Sequence, residues 1–397
     1  MRKYSEFLVS KRSLTVQYMR FLFLIQGRTT DDQPGYHDGC LRLLQENRIS
    51  AYDYFCYYDG SDNLTGKGWS EQWSRLERKA KDFSPDLVLL QFFHGPMDNV
   101  SGLMARLRVL PSGPTIASSC GDPFAPGLLD HGFPRSFIES SSLADMSFFS
   151  QMGRSAKAAE KWGARNLLLW PHGNCQKRFP NDFDAVTWKP EFDVVFVGNH
   201  TSVRNPFSSL GRGSKKRAAL VDALTRRYGK RLGLFGRGWN GNPAWQGPIP
   251  YHDQVKAFRR GRVVFGGYPH ASDDYYLSDR PFIAMGSGIP LIDYRVPKVD
   301  ELFLEERDWY LFSDSNELMA QCDKVLKSDC AEVMRKAEKA AALVHQKHTQ
   351  YHRMKFAIET MTALRMARLQ KREFHVPEIE FLLPGPSGRD AIRNIRG

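Results

Sequence analysis

Short apolar runs alternate with helix-length amphipathic stretches along this sequence, lapse once, and then begin again. In the first series "YMRFLFLI", "AYDYFCYY", "DLVLLQFF", "PTIASS", "DMSFFS" and "NLLLW" read as strands. Between them "HDGCLRLLQENR", "SEQWSRLERKAKDF", "DNVSGLMARLRVL" and "RSAKAAEKWGA" have helical spacing. Such alternation predicts an α/β protein whose parallel sheet is covered on both faces. After Trp170 comes "PHGNCQKRFPNDFDAVTWKPE", which has no sustained period and several turn formers, and so reads as a linker.

The second series has "DVVFVGN", "RLGLFG", "RVVFGG", "IPLIDY" and "DWYLF" as strands. Its helices are "SKKRAALVDALTRRYG", "YHDQVKAFRRG", the segment after Ser278 and "SNELMAQCDKVLKS". A chain of 397 residues is long enough for two cores, so the lapse marks a domain boundary. The expected organisation is a Rossmann-like domain over 1–172, a linker over 173–192, a second Rossmann-like domain over 193–345, and a C-terminal helix with a loose basic tail over 346–397. From Ala331 to about Arg372 the sequence is almost continuously helix-forming, which predicts two or three joined pieces. The stretch "FLLPGPSGRDAIRNIRG" is rich in turn formers and is expected to be loosely held.

Composition narrows the class. No apolar window is long enough to span a bilayer, and "FLFLI" (Phe21 to Ile25) is too short for a signal segment and reads as a buried strand. Cys40, Cys56, Cys120, Cys175, Cys322 and Cys330 are scattered without metal-ligand spacing, which predicts reduced thiols in a cytoplasmic protein and no metal site. Lys and Arg number 56 against 44 Asp and Glu, and the formal net charge of +12 favours an anionic partner: a nucleotide, DNA or an anionic membrane surface.

In doubly wound sheets ligands bind outside the carboxyl ends of the strands. In the second series those ends are "FVGN" with Gly198 and Asn199, "LFGRGW" with Gly236, Arg237, Gly238 and Trp239, and "VFGGYPH" with His270. Glycine there allows a close backbone approach, although any strand-to-helix turn can require it. "LSDRPFIAMGSG" places Ser278, Asp279 and Arg280 at the opening of an apolar helix. Arg280 joins a fixed positive charge to helix-end amides, a suitable seat for a diphosphate.

"GN…RNPF", "LFGRGW", "IPYHDQVKAFRRGRVVFGG", "LSDRPFIAMGSGIPLIDYRVPKVDELF", "DWYLFSDSNELMAQCDKVL" and "HTQYHRM" follow one another in an order that resembles glycosyltransferases of the two-Rossmann (GT-B) fold. The branch it most resembles is the spore-maturation-protein-like (CgeB-like) one of the family-four type, over roughly residues 190 to 365. The resemblance implies a nucleoside diphosphate sugar, UDP- or GDP-linked, held by the second domain with no cofactor. It adds Arg204 to the donor residues, places the acceptor on the first domain, and implies transfer of a hexosyl or pentosyl group without an obligatory metal. The family usually carries a glutamate for the donor ribose where this sequence has Ile283, and a second acidic position falls on Tyr275. Isoleucine cannot accept a hydroxyl hydrogen bond, so Asp279 or another group must substitute, or the donor is held differently, or the site is degenerate.

On the first domain the strand ends offer Gly27 in "QGRTTDDQPGYHDG" with His37 after it, His94 in "FFHGP", and Asp122 in "SSCGDPF". An inverting transfer needs a base within reach of the acceptor hydroxyl, and Asp122 and His94 are the candidates. "HTQYHRM" reads as a packing helix. The acceptor is expected to be a cell-envelope glycan or a small molecule. Two alternatives stand beside this: a phage-type DNA glycosyltransferase acting on hydroxymethylated pyrimidines, for which the basic stretches would track phosphate, and a non-catalytic binding protein that keeps the fold.

Overall fold

The computed structural model describes residues 19–58, 66–93, 97–122, 133–200, 209–267, 273–383 and 391–393. The first sheet is built from β1 (Arg20–Ile25), β2 (Ala51–Cys56), β3 (Leu87–Leu90), β4 (Thr115–Cys120), β5 (Met146–Phe149) and β6 (Leu167–Leu169), in the order β6-β5-β4-β3-β1-β2. All six run parallel. Phe21 to Ile25 are fully buried, as a parallel strand covered on both faces requires. The covering helices are α1 (Pro34–Gln45), α2 (Gly66–Phe83), α3 (Val100–Arg108), α4 (Arg135–Leu143) and α5 (Arg154–Lys161).

The second sheet has the order β12-β11-β10-β7-β8-β9, again all parallel. Its strands are β7 (Phe192–Val197), β8 (Leu232–Phe235), β9 (Trp245–Gly247), β10 (Gly261–Phe265), β11 (Leu291–Tyr294) and β12 (Tyr310–Phe312). With it go α6 (Ser209–Tyr228), α7 (Gln254–Phe258), α8 (Asp279–Gly286), α9 (Ser315–Lys327) and α10 (Cys330–Lys347). The chain then turns at His348 and Thr349 into α11 (Gln350–Leu369), so the long helix-forming stretch is two helices with one corner.

Helix α11 leaves the second sheet and packs back on α1 and on β4 of the first. Gly39 permits this, because a Cβ there would lie 3.0 Å from the Tyr351 Cα. The corner is fastened to the segment after β6. Asn174 N donates to His348 O at 2.8 Å, and Gln350 N donates to Asn174 O at 2.9 Å. Arg353, wholly buried, donates from Nε to Pro171 O at 2.8 Å, from Nη2 to His172 O at 3.1 Å and from Nη1 to Lys347 O at 3.2 Å. Trp170 Nε1 in turn donates to Arg353 O at 2.8 Å. Burial pushes the Arg353 guanidinium down to about 9, opposed by the nearby Tyr36 hydroxyl.

Four local expectations need correction. Helix α4 reads poorly in sequence because "RSFIESSSL" is serine-rich; Ser140 and Ser141 satisfy their hydroxyls on Phe137 O. The stretch "YHDQVKAFRRG" is a 3-10 turn and the five-residue α7, not a full helix. Strand β9 is a three-residue edge too short to show a period. The C-terminal stretch is not loose where it is described. The Phe381 ring lies 4.2 Å under the Arg353 guanidinium, Leu383 N donates to Glu301 O at 2.7 Å, and β13 (Ile392–Arg393) adds an antiparallel edge to β6.

Removing the Arg353 guanidinium leaves several buried carbonyls without donors. Arg353→Ala is therefore expected to lower the unfolding free energy by about 3–5 kcal/mol, measured by chemical denaturation, with Arg353→Lys losing less.

Candidate donor and acceptor site

In the second sheet the chain winds outward from β7 through β8 and β9, then returns to place β10 on the other flank of β7. The carboxyl ends of β7 and β10 thus border the crevice where the winding reverses. Gly198 follows the first of these strands and Gly266 the second. Arg280, the second residue of α8, lies across the two. Its Nη1 is 3.5 Å from Gly266 O, and a Cβ on Gly198 would lie 3.5 Å from its Nη2. Its Nε is buried without a hydrogen-bond partner among the described residues.

A second guanidinium enters from α6. Arg217 is only 6% exposed and donates from Nη2 to Asn199 O at 2.7 Å. Burial first, then the charge of Arg280, pushes it down to about 10. Two like charges so close raise the local potential and favour an anion between or above them. The start of α8 points the same way. Ser278 is in extended conformation before the helix and makes no side-chain cap, and among the described residues its buried Oγ has no partner. The first-turn amides are left without that cap.

Asp293 of β11 lies against Gly266. A Cβ at Gly266 would fall 2.3–2.4 Å from the three carboxyl atoms, so only glycine fits. Asp293 Oδ1 accepts from Tyr294 N at 2.8 Å, while Oδ2 is buried with no partner among the described residues. Burial pushes this carboxyl up to about 7, against the opposing pull of the Tyr294 amide and Arg280.

The loops after β7 and β8 lock together beside the crevice. Asn199 Oδ1 accepts from Arg237 N at 2.9 Å, and the buried Trp239 donates from Nε1 to Gly198 O at 2.7 Å. Gly236 has φ +131, and a Cβ there would meet Gly198 O at 2.3 Å. Gly238, at φ +83, faces His200 O in the same manner. What approaches these two glycines is the neighbouring loop's backbone.

Facing this edge is the carboxyl edge of the first sheet. Residues 273–276 reach over to it: Met152 N donates to Asp274 O at 3.1 Å, and Arg154 Nε lies 3.4 Å from Asp273 Oδ1. The Tyr276 hydroxyl is 3.5 Å from Asp122 Oδ1, and His172 Nε2 is 2.7 Å from Gly121 O. Burial, with Asp122 and Asp279 adding to it, holds the Tyr276 phenol well above its ordinary range. Asp279 accepts from the Tyr251 hydroxyl at 2.5 Å. Consecutive residues thus have separate partners: Arg280 the Gly266 carbonyl of the crevice, Asp279 the Tyr251 hydroxyl.

The remaining sequence candidates divide. Gly27 backs onto the turn where Asp32 Oδ2 accepts from Arg28 N at 2.6 Å. His37 stands against edge strand β2, with Nδ1 2.9 Å from the Tyr52 hydroxyl, and burial holds its imidazole below the usual range despite Asp38 and Asp31. His94, Arg204 and His270 lie outside the described residues. Ile283 and Tyr275 are both buried in the core, the latter donating to Glu301 Oε2 at 2.6 Å, so neither position is free to hold a ribose.

Sequence reasoning passed over Arg217, Asp293, Tyr276, Tyr251 and His172. Arg217 had a signal, since Ser214, Arg217, Val221 and Leu224 fall on one helical stripe and all are buried. Asp293 had another, a charge inside the apolar run "IPLIDY".

This architecture is the GT-B fold: two mostly parallel α/β sheets with a helix crossing back between them. It is shared by HepE of Anabaena, solved in complex with UDP and glucose, at 13% identity and TM-score 0.52 over 87% of this chain and 100% of that one. A glycosyltransferase from Rickettsia africae matches at 10% identity and TM-score 0.56 over 88% and 99%. The UDP-forming alpha,alpha-trehalose-phosphate synthase from Burkholderia vietnamiensis matches at 11% and 0.56 over 89% and 99%. Residues 215–359, from within α6 to within α11, match the family described as glycosyl transferase-like. No curated protein matches the chain by sequence.

If a diphosphate occupies this crevice, Arg280→Ala should weaken its binding about tenfold or more, a charge-assisted contact being worth about 1.5–3 kcal/mol. The variant's melting temperature should stay near that of the wild type. Calorimetric titration and a thermal melt check the two halves of this expectation.

Proposed function

We propose that the chain is a glycosyltransferase that moves a sugar from a nucleoside diphosphate donor to a hydroxyl acceptor. The observation that carries this is the pair of guanidiniums, Arg280 and the buried Arg217, beside the uncapped start of α8 at the reversal of the second sheet. Such a crevice matches a diphosphate in charge and in hydrogen-bond donors. Uridine is the favoured base, because HepE was solved with UDP and with UDP-glucose and the trehalose-phosphate synthase is UDP-forming.

The reacting sugar would lie between the two carboxyl edges, with the acceptor toward Asp122, His172 and Tyr276. The acceptor oxygen attacks the anomeric carbon while the bond from that carbon to the β-phosphate oxygen breaks, and the electron pair leaves on the diphosphate. Arg280 and Arg217 stabilise that departing charge without reorganising. The acceptor proton passes to Asp122, and with a base in this role the anomeric centre is inverted. A retained product would remove Asp122 from it.

A cell-envelope glycan or a small molecule remains the proposed acceptor class. The DNA-directed alternative draws no support from the comparisons. No helix among the described residues is long and apolar enough to cross a membrane. The non-catalytic alternative is separated by turnover. Incubation with UDP-sugars and a panel of hydroxyl acceptors should release UDP faster than an enzyme-free control. Asp122→Asn should lower that rate by about 10²–10⁴-fold while UDP still binds. No UDP release from any donor tested would leave the binding-protein reading in place.

A further inference from the structure

Asp293 is placed where a strand buried on both faces ordinarily carries an apolar side chain. Its carboxyl is pressed against Gly266, at the end of one of the two strands that border the crevice, and among the described residues its hydrogen-bond partner is the amide of the next residue. Among the described residues no ion pair ties it to Arg280, yet that guanidinium acts on it through space. Among the described residues the other charged or titratable groups around it are Tyr294, whose buried hydroxyl has no partner there, and the Arg217 charge that acts on Tyr294 from α6. Lys216 also comes from α6, with Nζ 4.9 Å from the centroid of the Tyr294 ring. From β12 the register partner is Leu311, which brings no charge.

We infer that Asp293 is a positioning residue of the donor site that takes up a proton when the diphosphate of a nucleotide sugar enters beside Arg280. This rests on the donor-site reading above. In the empty crevice the ionised carboxylate offsets part of the Arg280 and Arg217 charge. An entering diphosphate repels that carboxylate and draws the guanidinium field to itself, so the neutral acid becomes the favoured form. The proton comes from solvent and is held at the carboxyl; no bond to the nucleotide forms. Burial pushes the carboxyl of the empty site up to about 7, and a diphosphate beside it would push it higher still. Affinity is therefore greatest below the free-site value and falls as pH rises through it, by about tenfold between pH 6 and 8 if the occupied-site value lies well above 8.

The test is calorimetric titration of the full chain with UDP-glucose, whose phosphodiester groups do not titrate in this range, with GDP-glucose in parallel. Measurements at pH 6 and 8, in two buffers of different ionisation enthalpy, count the protons. The expected result is about tenfold weaker binding at pH 8, with uptake of about one proton per nucleotide sugar. Asp293→Asn should bind at pH 8 about as tightly as the wild type at pH 6, with no uptake. A wild-type affinity that is flat across this range with no uptake, while Arg280→Ala still weakens binding, overturns the role of Asp293 and leaves the donor site standing. Uptake that persists in a folded Asn variant belongs to another group and also overturns it. Failure of both nucleotide sugars to bind at either pH overturns the donor site and the inference together. Should the Asn variant not fold, the wild-type proton count decides alone.

Discussion

A buried guanidinium without a carboxylate ion-pair partner among the described residues holds the two sheets in register. Taking an arginine out of water costs several kcal/mol, and Arg353 offsets this with charge-assisted donation to the carbonyls of Pro171, His172 and Lys347. Those carbonyls belong to two separate passages of the chain, the exit from β6 and the corner before α11. Fixing them to one planar group sets where α11 returns to the first sheet. The facing of Tyr276 to Asp122 and of Arg154 to Asp273 follows from that placement.

The donor crevice reverses the usual logic of an interior. Buried charges are ordinarily matched with opposite charges, but here burial and then the like charge of Arg280 push Arg217 down, and burial disfavours the ionised form of Asp293. An anion beside Arg280 and Arg217 would offset their mutual repulsion and add to the stability of the fold by mass action. Asp279 avoids adding to the conflict at the same helix start by engaging Tyr251 instead.

Most of the architecture was legible because strands buried on both faces appear as unbroken apolar runs, and these are the strongest signal a sequence carries. What escaped notice had weak local preference and strong tertiary support: the serine-rich α4, the three-residue β9, and the tail that Phe381 and β13 hold down. In the site, Arg280 was legible because proline and an apolar helix follow it, whereas Arg217 was hidden in a run of basic residues where Lys215 and Lys216 face solvent. Asp293 was hidden by the apolar run around it. The opposition of Tyr276 to Asp122 spans 154 positions, and no local pattern encodes such a meeting. The glutamate absent at Ile283 left substitution by another group, a different donor mode and a degenerate site all open in the sequence; the position itself is turned into the core, where an isoleucine packs and a carboxylate would be expensive.

Asn174 and Thr349 pair as a short parallel bridge, so the outgoing and returning passages of the chain cross between the sheets side by side. The described part of the tail adds a further crossing, since Leu383 N donates to Glu301 O beside the second sheet while β13 pairs with β6 of the first. Of the contacts between the two units, the half-exposed Arg154–Asp273 pair is worth less than the buried donations of Arg353, so a turn of one sheet against the other would break the outer pair first. Water would then reach the rim of the crevice before it reached the Arg353 corner.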